Sequence, residues 1–183
     1  ELKTTFIYDD WGQQLTEVRP DGVKVTESTN LIGTVDWPGK IVTSWSQAPD
    51  SSVLYDYTVI KLNDFDTPVT TERFDGAGEL IYSRDERFYD GLGRLAKEVD
   101  ARGRDTTYKY DVYDRIIETR LPDGTKVLRE YARHSTEDLP TLISVAGRVL
   151  GTQSFDGLGR LTRSITGGRS KDFAYKPGQL QPC

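Results

Sequence analysis

A seven-residue segment occurs twice in this chain of 183 residues, and it constrains the fold more than any other feature. Residues 89–95 read YDGLGRL and residues 155–161 read FDGLGRL, so only the first aromatic residue differs. Looser versions, an aromatic residue followed by Asp and then by Gly or Asp three positions later, lie at 8–15, 74–80 and 110–116. Between the copies lies a second kind of turn sequence, at 19–25, 100–106 and 121–127. Two turn signals in each period of about 21 residues predict two strands per repeat.

The segments between the turns have the pattern of β-strands. Thr107 to Tyr110 alternates polar and aromatic residues with a period of two, as a half-covered strand does. β-Branched and aromatic residues dominate 41–45, 58–60 and 106–110, and turn residues interrupt the chain too often for long helices. We therefore predict an all-β fold of antiparallel hairpins that form one twisted, curved sheet. At the usual 5–6 residues per strand, the chain has room for roughly 12–16 strands.

Each residue of the repeated segment has a predicted structural role. Asp90 can accept hydrogen bonds from backbone N–H groups further along the turn, and Gly93 can adopt the left-handed conformation that closes a short hairpin loop. Asp114 stands where another copy has glycine, and Asp tolerates that conformation. Arg94 is close enough to pair with Asp90 across the mouth of the hairpin, with a contribution of about 0–1 kcal/mol if the pair is exposed. Leu95 then begins the next strand.

The same roles are assigned to the other copies, and none of them requires a substrate. Since Phe replaces Tyr in the second copy, the aromatic hydroxyl is predicted to be dispensable for the turn. The predicted structural residues are the aromatics Tyr8, Phe74, Tyr89, Tyr108, Tyr110 and Phe155; the turn residues Asp9, Gly12, Asp75, Gly78, Asp90, Gly93, Asp111, Pro122, Asp123, Gly124, Asp156 and Gly159; and the residues that leave the turns, Arg94, Leu95, Arg115, Arg160 and Leu161.

The repeats are not evenly distributed along the chain. We predict repeat hairpins over 1–30 and 74–183 and less regular strands or divergent repeats over 31–73, all in one continuous sheet rather than in independent domains. Because the chain starts within a predicted strand and ends at QLQPC, we expect it to be a fragment or processing product of a longer protein.

Composition argues against several classes of function. A net charge of −5 and a pI near 5.0 disfavour nucleic-acid binding, and no apolar run of about 18 residues predicts a membrane span. One histidine, His134, and one cysteine, Cys183, make no zinc-type ligand set, and no calcium loop has the required spacing. We predict no cofactor and no catalytic residue, and interpret His134 as a loop residue rather than as part of a catalytic site.

The run from Tyr89 to Asp111, YDGLGRLAKEVDARGRDTTYKYD, resembles a full unit of the YD repeat of Rhs (rearrangement hot spot) proteins. LPDGTKVLREY at 121–131 resembles the second half of the next unit. The sequence resembles bacterial polymorphic-toxin and insecticidal toxin-complex members more than the animal teneurins. This resemblance implies a secreted protein whose spiralling β-sheet forms a hollow shell around a toxic C-terminal segment. Its partners would be the remainder of the same polypeptide, that toxin, and other toxin-complex or secretion-system components.

Family members that cleave themselves carry an aspartate motif similar to D-P-x-G-L, which KPGQLQPC at 176–183 does not match. The resemblance therefore implies no catalytic residue within this chain. A binding module for carbohydrate or a receptor is the alternative, since Trp11, Trp37 and Trp45 with ten tyrosines could line an aromatic face. We expect these tryptophans to pack in the core instead.

Overall fold

The computed structural model describes residues 2–75 and 80–178. In this part of the chain the regular elements are fifteen β-strands, without a helix. The first seven strands are β1 Thr5–Tyr8, β2 Gln14–Val18, β3 Lys24–Asn30, β4 Ile41–Gln47, β5 Leu54–Leu62, β6 Pro68–Phe74 and β7 Ile81–Tyr89. The other eight are β8 Leu95–Val99, β9 Asp105–Tyr110, β10 Ile116–Arg120, β11 Lys126–Tyr131, β12 Pro140–Val145, β13 Arg148–Phe155, β14 Leu161–Thr166 and β15 Arg169–Asp172. The predicted all-β class and the predicted number of strands are both confirmed.

The chain forms two compact units, residues 1–88 with 98–103 and residues 89–97 with 104–183. Strands β1 to β7 belong to the first unit, apart from the last residue of β7, and strands β9 to β15 belong to the second. In each unit the strand order is the chain order, and the strands pair antiparallel with their neighbours in the sequence. This is the order that successive hairpins produce. The three-part division at residues 30 and 73 stays a prediction.

Side chains in both units are partly covered rather than buried. Among the described residues the buried apolar side chains are Ile41, Leu62 and Ala132, which are between 4% and 9% exposed. Five polar residues are covered as well, namely Ser46, Thr70, Thr71, Glu72 and Ser144. This pattern is typical of a sheet without a second layer packed on it, because a two-layer fold buries a continuous apolar face. The described residues of these hairpins therefore bury little apolar surface.

Charged and aromatic side chains pack along the first unit. Buried Glu72 on β6 lies 3.3 Å from Lys61 Nζ on β5 and 3.6 Å from Arg84 Nη1 on β7, so its charge is paired on both sides. On β5, the ring of Tyr57 stacks on Trp45 of β4 at 6.0 Å and meets Phe74 of β6 edge-on at 5.6 Å. Cross-strand contacts of this kind stabilise a sheet that has little buried interior.

The segment that departs from the sequence pattern forms ordinary hairpins. At Asn63, between β5 and β6, the side-chain Oδ1 accepts hydrogen bonds from the N–H groups of Phe65 (3.0 Å) and Thr67 (3.1 Å) and from the Thr67 hydroxyl (2.8 Å). The Asn63 N–H donates to the Thr67 carbonyl, and Asp66 has a φ of 57°. Asn, Asp and Thr here take the positions that Asp, Gly and Arg hold in the repeated segment.

Candidate functional site: the interlocked repeat turns

The turn at 111–115 shows how one repeat is held together. Oδ1 of Asp111 accepts hydrogen bonds from the backbone N–H groups of Tyr113 (2.9 Å) and Arg115 (3.1 Å). Its other oxygen, Oδ2, accepts from Arg115 Nε at 2.7 Å and lies 2.7 Å from Nη2. One carboxylate therefore binds both the backbone of the turn and the guanidinium of Arg115, the last residue of the turn. The predicted pairing of Asp with Arg is present in this turn.

The next repeat covers this pair. The Cζ atom of Arg115 lies 4.5 Å from the centroid of the Tyr131 ring, at the end of β11. The Tyr131 hydroxyl donates a 2.7 Å hydrogen bond to the carbonyl of Ile116, which is the residue after Arg115. Arg115 Nη1 in turn donates to the carbonyls of Ser135 (2.9 Å) and Glu137 (3.1 Å), in the loop that follows Tyr131. The Arg115 side chain is consequently only 11% exposed, which is less than we predicted for a surface ion pair.

The turn at 90–94 repeats the arrangement. Asp90 accepts from the N–H of Arg94 (3.0 Å) and from its Nε (2.8 Å). Arg94 Cζ lies 4.8 Å from the ring centroid of Tyr110, whose hydroxyl donates to the Leu95 carbonyl at 2.8 Å. Arg94 Nη1 donates to Asp114 Oδ1 at 2.8 Å, in the following turn. Arg94 therefore contacts the carboxylate of its own turn as well as a tyrosine and a carboxylate of the following repeat.

The third copy, at 156–160, has the same core. Asp156 accepts hydrogen bonds from the Arg160 N–H at 2.9 Å and from its Nε at 2.7 Å. The ring of Tyr175 lies 4.6 Å from Arg160 Cζ, and its hydroxyl donates to the Leu161 carbonyl at 2.8 Å. Tyr175 belongs to a sequence, YKPG, that has no Asp after its aromatic residue. The aromatic contact is therefore retained where the Asp turn is not.

The turn at 9–13 keeps the backbone half of the arrangement. Asp9 Oδ1 accepts from the N–H groups of Trp11 (2.9 Å) and Gln13 (2.8 Å), as in the other copies. Gln13 occupies the position of the arginine, and its Nε2 donates to the Thr29 hydroxyl at 3.3 Å. Without a guanidinium at this position, the carboxylate–arginine–aromatic set is incomplete here.

The turn that begins at Asp75 is longer than the other copies. The Asp75 N–H donates to the Leu80 carbonyl, five residues on, whereas the Asp90 N–H donates to the Arg94 carbonyl, four residues on. Gly78, predicted to close this turn, lies outside the described residues.

Glycine and aspartate adopt the predicted left-handed conformation. Gly93 and Gly159 have φ values of 79° and 75°, and Asp114 has 63°. The N–H of Gly93 donates to the Asp90 carbonyl at 2.9 Å, so a tight turn followed by a left-handed residue closes the hairpin. In the alternate turns, Gly124 has a φ of 83°.

Hydrogen bonds to the carboxylates set their charge state. The Arg94 side chain, followed by the Arg94 N–H, lowers the pKa of Asp90 below its ordinary value. Burial acts to raise the pKa of Asp111, but the hydrogen bonds from Arg115 and Tyr113 outweigh it and the pKa is lowered. The Arg160 N–H is the main cause of the lowered pKa of Asp156. All three turns therefore favour the ionised carboxylate.

The remaining predicted residues take positions in strands and turns. Tyr8, Phe74, Tyr89, Tyr110 and Phe155 each end a strand, Tyr108 lies within β9, and Leu95 and Leu161 begin β8 and β14. Pro122, Asp123 and Gly124 form the turn between β10 and β11, where Asp123 Oδ1 accepts from the Thr125 N–H at 2.8 Å. That bond is the main cause of the lowered pKa of Asp123.

The tryptophans do not form one aromatic face. Trp45 stacks on Tyr57, and Trp37 Nε1 donates to the Leu62 carbonyl at 3.2 Å, so both are packed. Trp11 is 93% exposed at a turn tip, so core packing was a wrong prediction for this residue. The reason is its position: Trp11 lies in the turn between β1 and β2, where its N–H bonds to the Asp9 carboxylate, and not within a strand.

His134 is exposed in the loop between β11 and β12, as predicted. Within residues 2–75 and 80–178, no group of three or more His, Cys, Asp or Glu side chains is arranged to hold a metal ion. Over the same residues, no helix has the length and hydropathy that a membrane span needs.

The contacts that connect repeats were not predicted from the sequence. The hydroxyl of the aromatic residue was predicted to be dispensable for the turn, which stays a prediction. The hydroxyls of Tyr110, Tyr131 and Tyr175 instead donate to the preceding repeat. The signal was present in the spacing, because Tyr110 and Tyr131 both follow their acceptor residues by fifteen positions.

This geometry defines a protein of tandem β-hairpins whose successive turns are interlocked by carboxylate, guanidinium and phenol groups. The family model for the RHS Repeat matches residues 89–126, which contain the turns at 90–94 and 111–115. This match confirms, over these residues, the resemblance to the YD repeat of Rhs proteins that was recognised in the sequence.

No curated protein matches the chain. Among solved structures, it is similar to a crystal structure of TcdB2-TccC3-Cdc42 (TM-score 0.38, 14% identity) and to one of TcdB2-TccC3 (TM-score 0.37, 13% identity). It is also similar to a structure of the Photorhabdus luminescens Tc holotoxin pore (TM-score 0.36, 14% identity). Each similarity covers 94% of this chain but only 11–12% of the chain it matches.

Proposed function

We propose that this chain is part of the wall of an Rhs-type β-shell, in a secreted bacterial protein whose shell encloses a toxic C-terminal polypeptide of the same chain. The observation that carries the proposal is the interlock between repeats. Arg94 and Arg115 each contact the tyrosine and the turn of the following repeat, so every added hairpin extends the same sheet. A repeat array held in this way is suited to building a large surface from a short sequence unit.

The burial pattern supports a wall rather than a globular domain. With few side chains buried in either unit, both faces of the sheet are free to meet water or another part of a larger protein. A wall needs this property, since one face borders the cavity and the other borders the outside. In this proposal the chain acts physically, by isolating a polypeptide, and its own residues perform no chemical step.

The partners follow from the same proposal. They are the remainder of the Rhs polypeptide, the enclosed toxin segment, and other components of a toxin complex or secretion system. Nucleic acid is not among them, because the chain has a net charge of −5 and would be repelled by phosphate.

An imaged full-length parent protein tests the proposal directly. Cryo-electron microscopy should place the strands of this chain in a shell wall around internal density. Limited proteolysis of the same protein should leave its C-terminal segment intact, and that segment should become sensitive when the wall is weakened by combining Arg115→Met with Tyr131→Leu. The wild-type parent, digested after denaturation, is the control for cleavable sites. A map that places these residues outside any wall, or equal digestion of the segment in native and denatured parent, would overturn the proposal.

A further inference from the structure

We propose that two Asp–Gly bonds of the repeat turns, at 90–91 and 156–157, are sites of isoaspartate formation that Arg94 and Arg160 protect. In the folded chain each arginine holds the carboxylate of its own turn in an unreactive state. The proposal concerns the chemistry of single turns, so it does not depend on whether the sheet forms a shell.

Isoaspartate forms in two steps, and water is the co-reactant. The backbone nitrogen of the next residue attacks the carbon of the aspartate carboxyl group. A C–N bond forms, and the amide proton and the carboxyl OH leave as water. Water then opens the succinimide ring at one of its two carbonyls, which gives either aspartate or isoaspartate, whose main chain runs through the former side chain. Glycine hinders the attack least, because it has no Cβ beside the nitrogen.

The chain carries this reactive pair where the turn backbone does not need it. Asp10 and Val112 occupy the second position in the turns at 9–13 and 111–115, so the position accepts other residues. Gly91 and Gly157 do not have a positive φ, unlike the glycines that close the turns. Asp–Gly pairs occur at 21–22, 75–76, 90–91, 123–124 and 156–157.

Crowding does not prevent the reaction in the repeat turns. Gly91 and Gly157 are both exposed, so water reaches them. A Cβ placed on either glycine would meet nothing within 4 Å. Any protection must therefore come from the groups that hold the carboxylate.

The carboxylate of Asp90 is held at both oxygens. Oδ1 accepts from the N–H groups of Leu92 (2.9 Å) and Arg94 (3.0 Å), while Oδ2 accepts from Arg94 Nε (2.8 Å) and lies 2.8 Å from Nη2. The carboxyl carbon cannot turn onto the Gly91 nitrogen without breaking these bonds. The Arg94 side chain is also the main cause of the lowered pKa of Asp90, so the protonated carboxyl, which can lose OH as water, is disfavoured.

The carboxylate of Asp156 is held in the same way. Its Oδ1 accepts from the N–H groups of Leu158 and Arg160, both at 2.9 Å, and its Oδ2 accepts from Arg160 Nε at 2.7 Å. The ring of Tyr175 lies 4.6 Å from the Arg160 guanidinium carbon and covers this group. Charge-assisted hydrogen bonds of this kind are stronger than those between neutral groups.

The alternate turns restrain the other reacting group. The N–H of Gly22 donates to the Arg19 carbonyl, and the N–H of Gly124 donates to the Leu121 carbonyl, both at 2.9 Å. In these turns the attacking nitrogen is held by the backbone. The Asp75–Gly76 bond extends outside the described residues. Protection by arginine is therefore a property of the repeat turns at 90–94 and 156–160.

Incubation of the full chain in mildly acidic buffer at body temperature tests the proposal. Isoaspartate is quantified by enzymatic methylation with protein isoaspartate methyltransferase and located by mass spectrometry of peptides. In Arg94→Met, isoaspartate at position 90 should accumulate about tenfold faster than in the wild type, as expected for the loss of charge-assisted hydrogen bonds. The rate at position 156 should keep its wild-type value, and Arg160→Met should show the reverse.

Arg115→Met is the matched control. It removes the same contact from the carboxylate of Asp111, but the next residue is Val112, whose β-branched side chain hinders attack by its nitrogen. Isoaspartate should therefore not accumulate at position 111. The wild-type chain unfolded in urea is the second control, and it should react faster at positions 90 and 156 than the folded chain. This comparison needs no variant, so it holds even if Arg94→Met folds poorly.

Three results would overturn the proposal. The first is an equal rate at positions 90 and 156 in the folded and the unfolded wild-type chain. The second is an unchanged rate at position 90 in folded Arg94→Met. The third is an equal rise at positions 90 and 156 in that variant while circular dichroism shows it to be folded, because the protection would then not be local.

Discussion

Arg115 and Tyr131 belong to successive repeats, yet each fixes the position of the other. The guanidinium carbon lies 4.5 Å from the ring centroid, and the ring hydroxyl bonds to the carbonyl of Ile116, the residue that follows Arg115. A planar cation over an aromatic face is attracted electrostatically, and partial desolvation increases the attraction. This relationship joins two successive hairpins of the second unit.

A double-mutant cycle measures the coupling between Arg115 and Tyr131. Arg115→Met and Tyr131→Leu should each destabilise the chain, and the double variant should be less destabilised than the sum of the two by about 1–2 kcal/mol. The measurement is the free energy of unfolding from urea denaturation followed by circular dichroism.

Arg120→Met provides the comparison for this cycle. Arg120 is an exposed arginine at the end of β10, so its effect should add to that of Tyr131→Leu. A coupling that is the same for Arg120 as for Arg115 would show that the ring contact is not specific.

Stability should fall in acid because of the turn carboxylates. The folded-state pKa of Asp111 is lowered from its ordinary value of 3.8, so the ionised form is favoured in the folded chain. Its contribution is fully present above that ordinary value and is lost as the pH falls through the lower, folded-state pKa. Unfolding midpoints in urea should therefore decrease as the pH is lowered below 3.8.

The Asp111→Asn variant should lose part of this dependence on pH, because it has no proton to bind at that position. Asp10→Asn changes an exposed aspartate within the turn at 9–13, whose carboxylate ligand to the backbone is Asp9 instead, and serves as the control. If the two variants keep the same slope of stability against pH as the wild type, the turn carboxylates are not the cause of the acid sensitivity.

The sequence predicted the hairpins well because their determinants are local. Asp90 contacts Gly93 and Arg94 within a segment of five residues. A turn of that length needs particular residue types at fixed positions, which can be recognised in the sequence. The left-handed conformation at Asp114 was predictable for the same reason, since few residue types tolerate it.

The contacts between repeats were not predictable in the same way. The hydrogen bond from the Tyr131 hydroxyl to the Ile116 carbonyl depends on the register of the strands between them. Because every residue has a backbone carbonyl, the sequence does not indicate which one accepts the bond. The turn at Asn63 was missed for a different reason: Asn, Asp and Thr replace the motif residues, yet their side chains make equivalent hydrogen bonds.

The left-handed turn position should tolerate alanine poorly. Gly93→Ala should lower the free energy of unfolding by about 1–2 kcal/mol, because Gly93 has a φ of 79° and a Cβ is unfavourable there. The cost comes from backbone conformation alone, since a Cβ at this position meets nothing within 4 Å.

Gly91 is the matched control in the same turn. A Cβ on Gly91 also meets nothing within 4 Å, and the residue does not have a positive φ. Gly91→Ala should therefore be neutral or slightly stabilising, because it reduces the freedom of the unfolded chain. Equal costs at the two positions would contradict the conformational explanation, and thermal unfolding of both variants decides between them.

The turn at Asn63 should depend on its side-chain oxygen as the repeat turns depend on theirs. Asn63→Ala leaves the N–H groups of Phe65 and Thr67 and the Thr67 hydroxyl without their acceptor, so it should cost about 1–3 kcal/mol in chemical unfolding. Asn63→Asp keeps an oxygen in the same place and restores the residue type of the other repeats, so it should retain most of the stability. If the aspartate variant were as unstable as the alanine variant, the amide nitrogen of Asn63 would be essential, and this turn would not be equivalent to those of the repeats.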